Sequence, residues 1–159
     1  MRKIKLTQGK YALVDDDDYE WLNQWKWGTY LSHGRWIVSR VAPVNKKIFM
    51  GRLILDAPKG MLVDHANQNT LDNRRRNLRL ATPSQNSRNK KLDRDSTSGY
   101  KGVSFNKEKQ LYTVGISVER GKRISPGQFK SKVVAARIYD EAAIKYYGEF
   151  AKTNFKQTK

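Results

Sequence analysis

The chain has 159 residues with a formal net charge of +17, enough to bury a modest core as one domain or as two small ones joined by a linker. So large an excess of cations favours a polyanionic partner through counterion release and long-range steering, with nucleic acid the first candidate. No cysteine is present, which excludes disulfides and thiolate zinc sites; with His33 and His65 the only histidines, any metal must be held mainly by oxygen ligands, as Mg2+-like ions are.

The opening MRKIKLTQGK lacks the apolar run of a signal peptide, and no stretch is long enough to span a bilayer. The basic residues are interleaved with Trp, Tyr, Asn and Gly and line no long amphipathic helix, which argues against a membrane surface. A soluble, cytoplasmic protein is expected. KIKLT and KYALV flank Gln8-Gly9 and predict a hairpin, and DDDDYEWL predicts a helix whose N-terminus the aspartates cap, in preference to a metal cluster. KWGTYL and RWIVSRV predict a second hairpin, with His33 in its turn. KKIFM and GRLILDA follow as core-facing segments, ending at the turn Pro58-Lys59-Gly60.

The segment VDHANQNTLDNRRRNLRLATPSQNSRN, Val63 to Asn89, sets one acid-histidine pair before a field of arginines and amides. It admits two readings: a phosphate-binding surface loop with an incidental histidine, or a site where the histidine does chemistry on a phosphate. Cutting a phosphodiester requires a base for water and a divalent cation at the scissile phosphate. Asp64 and His65 offer a ligand and a base side by side. Met61–His65 and NLRLAT predict strands on either side of a loop, and Thr82-Pro83 opens a helix with Thr as cap and Pro at the first position. Asn86, early in that helix, can join Asp64 on one cation. Arg74, Arg75, Arg76 and Arg79 read either as phosphate contacts or as a solvated basic loop.

KKLDRDSTS has almost nothing to bury and predicts a linker over 91–98, between domains at 1–90 and 99–157. GVSFN, QLYTVGISV and KRISPGQF alternate small apolar and polar residues, which predicts a three-stranded antiparallel sheet with a turn at Glu119-Arg120-Gly121. From Ser131 the period becomes helical, with Val134, Ile138, Ala142 and Tyr146 as the stripe, Ser131 as cap and Gly148 as stop. One helix covers one side of such a sheet, and a free sheet face can enter a major groove. The fold class is α+β: a β-rich N-terminal unit, then a three-stranded sheet packed on one helix.

DH at Asp64-His65, LDNRRRNLR with Asn77, and SQNSRN with Asn86 stand in one order, Asn77 and Asn86 lying 12 and 21 residues after the histidine. In this the chain resembles the HNH endonucleases of the ββα-metal fold, of the phage and intron-encoded homing type, over roughly Ile4 to Asn89. The resemblance implies that His65 is the general base activating water, that Asp64 and Asn86 ligate one Mg2+ or Mn2+ ion, and that Asn77 orients the histidine and braces the loop. Two positions depart from the family pattern. Gly51 stands before Arg52-Leu53-Ile54 where relatives often carry histidine, and the common Asn-Gly-Asn loop reads Asn67-Gln68-Asn69.

Ser98 to Phe155, with GYKGV, GKRI, FKSKVVAARIYDEAA and YGEFAKTNF, resembles the AP-two or ethylene-response-factor type of DNA-binding domain. That family's sheet lies in the major groove. The resemblance implies that Lys101, Gly102, Ser104, Asn106, Tyr112, Gly115, Ser117, Arg123 and Ser125 face DNA, with Lys101 and Arg123 the best candidates for base contact. Val103, Phe105, Ile116, Phe129, Ala135, Ile138, Tyr139 and Ala142 read instead as the core between sheet and helix. Serine at 104, 117 and 125 replaces long donors of the plant proteins, so their recognition sequence does not carry over. The resulting expectation is a metal-dependent endonuclease of double-stranded DNA, a monomer with no membrane or protein partner implied. The rival is a DNA-binding regulator with a vestigial nuclease half. An RNA-binding reading lacks the aromatic pairs of single-strand platforms.

Overall fold

The computed structural model describes residues 1–90, 92, 96–119 and 122–156. Lys91 and Asp93 to Asp95 of the expected linker, Arg120-Gly121 of the expected turn, and Gln157 at the expected domain end lie outside them. The chain divides into two compact units, Met1–Asn86 and Ser87–Lys159, and is α+β throughout, with several small sheets and few helices. No helix among the described residues is long and apolar enough to cross a membrane.

In the first unit, β1 (Arg2–Lys5) and β2 (Tyr11–Val14) pair antiparallel through a 3-10 turn at Thr7–Gly9. Their alternation sends Ile4, Ala12 and Val14 into the core beside Leu6, Leu22, Trp27, Val38, Met50, Ile54 and Leu78. Helix α1 (Asp16–Asn23) follows. Asp15 precedes it but makes no side-chain cap; its carboxylate accepts the Arg75 backbone N–H at 2.8 Å instead, so the acidic run serves a distant loop as well as its own helix. The second hairpin, β3 (Gly28–Ser32) and β4 (Arg35–Val41), turns at His33 and Gly34 with φ of 48° and 73°, the left-handed pair that a tight two-residue hairpin needs. Strand β5 (Lys47–Phe49) adds to β4, and helix α2 (Met50–Ile54) packs beneath.

Strands β6 (Leu62–His65) and β7 (Leu78–Ala81) pair antiparallel, His65 opposite Leu78 and Asp64 opposite Arg79. Helix α3 (Pro83–Arg88) follows. Its start is a reciprocal cap: the Thr82 N–H donates to Gln85 Oε1 at 2.8 Å and the Gln85 N–H to Thr82 Oγ1 at 3.2 Å.

In the second unit, β8 (Val103–Asn106), β9 (Leu111–Glu119) and β10 (Lys122–Phe129) form one antiparallel sheet in the order β10-β9-β8. Helix α4 (Lys132–Tyr147) packs on it, with Ser131 Oγ accepting from the Val134 N–H at its start. The stripe differs from the one expected. Val134 and Tyr146 are exposed, and the buried face is Ala135, Ala136, Tyr139, Ala142 and Ala143. Alanines let helix and sheet approach closely, so the small residues turn inward and the larger ones stay outside. The approach is close enough that a Cβ on Gly102, at φ +72°, would lie 2.0 Å from the Tyr139 ring. Buried Asp140 accepts the Asn154 and Phe155 backbone N–H groups at 2.8 and 2.9 Å and ties down the C-terminal segment.

Candidate active site

His65 ends β6 and lines a cleft of about 360 Å³ with Asp64, Asn73 and Asn86. The other walls include Arg35, Trp36 and Phe49 from the β3-β4-β5 sheet and Gly51 from α2. Three of the four residues expected to form the site therefore open on one cavity, because β6 carries the acid and the base while β7 returns the chain to α3.

His65 Nε2 lies 3.4 Å from Asn73 Oδ1. The Asn73 amide is fixed the other way by its Nδ2, which donates to the Thr70 carbonyl at 3.2 Å, so its oxygen faces the ring. An amide oxygen only accepts, which puts the imidazole proton on Nε2 and makes Nδ1 the basic nitrogen. Burial lowers the His65 pKa from its ordinary 6.5, opposed by the Asn73 hydrogen bond and by Asp64 and Asp72, and assisted by Arg35. Burial thereby favours the neutral ring, the form that takes a proton.

Asn77 does not touch the histidine through any of these bonds. Its Oδ1 accepts the Asn67 N–H at 2.9 Å and its Nδ2 donates to the Asp72 carbonyl at 2.7 Å, while its own carbonyl accepts the Ala66 N–H. These bonds hold the loop, and the polar contact to the His65 ring comes from Asn73. One of two buried asparagines in LDNRRRN carries no sequence mark of that role; only the loop's return path brings it to the ring. The loop is pinned on its other side by β2, whose Leu13 accepts from the Asn73 N–H and donates to the Leu71 carbonyl, each at 2.8 Å.

Three of the four arginines expected on phosphate have protein partners. Arg74 binds buried Asp72 through Nε and Nη2 at 2.7 and 2.6 Å; Arg75 binds buried Asp18 at 2.8 and 2.7 Å; Arg79 binds Asp64 Oδ2 through Nε and Nη2 at 2.8 and 2.6 Å. Charge-assisted forks of this kind are among the stronger hydrogen bonds, and each neutralises a carboxylate that the fold has buried. Arg76 is exposed, and its guanidinium makes no hydrogen bond or ion pair among the described residues. The Asp72 fork holds its carboxyl below the usual value of 3.8.

Among the described residues no three His, Cys, Asp or Glu side chains gather as a metal cage. The oxygen donors that line the cleft include one carboxylate, Asp64, and the amides of Gln68, Asn73 and Asn86, of which Asp64 and Asn86 are the pair expected on a cation. Both offer oxygen, which fits a hard divalent cation and not a thiophilic one.

Both departures from the family pattern have structural consequences. Gly51 is buried, and a Cβ there would lie 3.2 Å from Val63 Cγ1 and 3.3 Å from Asn73 Oδ1, so a larger side chain would press on the amide that faces His65. Gln68, at the centre of the altered loop, has φ 64°, a conformation that costs a residue with a Cβ about 1 kcal/mol and that the glycine of the common loop adopts freely.

In the second unit, strand alternation sorts the residues expected to face DNA. Ser104, Ser117, Arg123 and Ser125 are exposed, and the register Arg123 opposite Ser117 puts those two on the face away from α4. The Arg123 guanidinium lies across Gly115, where a Cβ would meet it at 2.3 Å. Asn106 is half-buried and accepts the Lys109 N–H at 3.0 Å, closing the β8–β9 turn. Tyr112 is on the other side. It shares the parity of buried Val114 and Ile116, packs against the helix-side core, and sits 4.9 Å from the Phe105 ring. Thr113 and Gln128 take its place on the free face, bonded to each other at 3.2 Å. Lys101 is not aimed outward as a base reader either: its ammonium donates to the carbonyls of Arg88 and Lys90.

A family model described as HNH endonuclease matches residues 56–88, the span from the end of α2 through α3. The chain is similar to an uncharacterised HNH endonuclease of Acanthamoeba polyphaga mimivirus, 33% identical over 150 residues that make up 92% of this chain and 76% of the relative. It is also similar to protein 3.8 of Escherichia phage T7, 38% identical over 98 residues, 60% of this chain and 77% of that one. Matched along nearly its whole length, the chain belongs to the HNH endonuclease family.

Proposed function

We propose that the protein is a homing-type endonuclease that hydrolyses phosphodiester bonds in duplex DNA with one divalent cation, in a ββα-metal arrangement of β6, β7 and α3. The observation that carries this reading is the shared cleft: His65, Asp64 and Asn86 line it together, with Asn73 setting the tautomer of the histidine. His65 Nδ1 takes a proton from water, the water oxygen bonds to phosphorus, and the bond from phosphorus to the leaving ester oxygen breaks, that oxygen taking a proton from solvent. Asp64 and Asn86 would hold Mg2+ or Mn2+; the chemistry such an ion supplies is polarisation of the phosphoryl group and neutralisation of charge at the leaving oxygen. Asn77 keeps the loop closed around the base.

The second unit serves as the targeting domain in the manner of the AP-two family. Its free sheet face offers Ser104, Thr113, Ser117, Arg123, Ser125 and Gln128 to a major groove, with Arg123 the candidate for guanine. Arg76 adds a phosphate contact beside the cleft-bearing loop. The protein acts as a monomer in the cytoplasm. Pure protein should nick supercoiled plasmid with Mg2+ or Mn2+ and not with chelator, and His65→Ala should abolish cutting while leaving DNA retention in a gel-shift assay unchanged. A wild-type protein that cuts no duplex under any of these conditions, yet binds DNA, would make the regulator reading the correct one.

A further inference from the structure

From Trp21 to Leu55 the chain carries six lysines and arginines, all four of its tryptophans, and no aspartate or glutamate. Cations in such a stretch have no carboxylate near them in sequence, and the stretch does not repel a polyanion. Arg40 is held there by aromatic rings. Its Cζ lies 4.3 Å from the centre of the Trp25 ring and 5.8 Å from that of Trp27, and the two indoles meet edge to face at 6.4 Å. Trp27 is buried and fixed by its Nε1, which donates to the Leu22 carbonyl at 2.9 Å. Trp21 packs edge-on against Trp25 at 6.1 Å.

The Arg40 guanidinium makes no hydrogen bond or ion pair among the described residues. Its Nε is the one buried side-chain nitrogen or oxygen among them that lacks a partner; Nη1 and Nη2, equally unpaired, are not buried and so meet solvent. A methionine at this position would cover the same ring and leave no donor orphaned, so packing does not explain the cation. Nor does the cleft of His65, which Arg40 does not line. Arg40 stands opposite Ile48, which packs on the core of the first unit, and leaves β4 on the same face as buried Val38. Lys26, between the two indoles in sequence, is exposed as well. The corner thus offers a cation whose flat face rests on indole while its terminal N–H groups stay open, the geometry that receives two oxygens of a phosphate.

Building on the DNA-acting part of the reading above, we propose that Arg40, held by Trp25 and Trp27, is a second binding site of the first unit that grips a backbone phosphate of the duplex away from the His65 cleft. A carboxylate would fit the same fork, but a formal charge of +17 and membership of a nuclease family favour the phosphate of DNA. Phosphate contacts fix where a protein sits on the duplex without reading its sequence. The contact therefore acts on every duplex alike.

The test measures binding of the full chain, in chelator so that nothing is cut, to two duplexes of unrelated sequence over a range of salt. Arg40→Met, which keeps the stem over the ring, should weaken Kd about tenfold on both, the scale of one charge-assisted hydrogen-bonded contact, and lower the slope of log Kd against log salt by about 0.9. Arg40→Lys, with the charge but not the fork, should restore the slope and only part of the affinity. Lys5→Ala, which removes an exposed charge on β1, should bind within about twofold of wild type. A purely structural arginine would instead lower the melting temperature and leave the salt slope unmoved. Binding by Arg40→Met within twofold of wild type at an unchanged slope overturns the proposal. So does a loss confined to one duplex, an equal loss in Lys5→Ala, or failure of both Arg40 variants to fold. A wild-type protein whose binding depends on Arg40 but which nicks no plasmid with Mg2+ overturns the nuclease reading and leaves this contact standing.

Discussion

Asp64 and Arg79 face each other directly across β6 and β7, and two donors of the guanidinium, Nε and Nη2, converge on the same carboxylate oxygen, Oδ2. The acid expected to ligate metal and the arginine expected on phosphate are thus one buried unit. Removing either partner strands the other's charge in a poorly solvated site, which costs several kcal/mol, whereas replacing both need not. Arg79→Met should lower unfolding stability by about 3 kcal/mol, and the double variant Asp64→Leu/Arg79→Met should cost clearly less than the two single changes added. Urea denaturation of the four proteins measures this, and additivity would show that the pair is not coupled.

Gly51 lies against the amide that faces His65. A methyl group there gains up to about 1 kcal/mol in helix propensity and loses a similar amount to crowding of Val63 and Asn73. Gly51→Ala should therefore leave the urea midpoint nearly unchanged but displace Asn73 Oδ1, lowering the plasmid-nicking kcat by about tenfold, the lower range for a misplaced supporting group. Unchanged kcat would place the functional burden elsewhere than on Asn73.

The carboxyl of Asp72 is held below 3.8, first by the hydrogen bonds from Arg74, with burial opposing and the Arg74 backbone N–H, the Arg74 charge and Asn67 assisting. A group whose folded pKa is depressed stabilises the fold above its unfolded pKa. That contribution is lost as pH falls from about 3.8 through the lower folded value, because the unfolded chain then binds the proton first. Asp72→Asn should be less stable than wild type at pH 6, with the gap narrowing as pH falls below 3.8. Chemical denaturation at a series of pH values reads it; a gap independent of pH would show that Asp72 is not ionised in the native loop.

Tyr112 and Arg123 test which face of the second sheet meets DNA. Tyr112 packs toward α4 and Arg123 lies on the opposite face. Tyr112→Ala should cost about 2 kcal/mol of stability, below the range for a fully buried aromatic because the ring is only half covered, and leave DNA affinity near wild type in the folded protein. Arg123→Ala should leave stability within about 0.5 kcal/mol, as surface changes do, and weaken duplex binding about tenfold, as one lost arginine contact does. Gel shifts at fixed salt and thermal melts separate the two, and the reverse pattern would invert the sheet.

Local chemistry made much of this protein legible in one dimension. Turn residues at Gln8-Gly9 and His33-Gly34, strand alternation in β1, β2 and β9, the Thr82-Pro83 helix start and the Ser131 cap are all decided within a few residues, because φ restrictions and hydrogen bonds to the nearest backbone act over that range. The order of Asp64, His65, Asn77 and Asn86 was likewise visible as a pattern. What only the tertiary structure decided is which charge meets which. Four arginines in a row of asparagines look alike in sequence, yet Asp72, Asp18 and Asp64 lie buried where Arg74, Arg75 and Arg79 can reach them, and Asp18 is 57 residues away from its partner. Asn73 beside His65 follows from the same cause. A loop and a hairpin far apart in the chain close on one cavity, and the cost of burying a charge or an amide then selects its partner by distance in space, to which spacing along the chain gives no access.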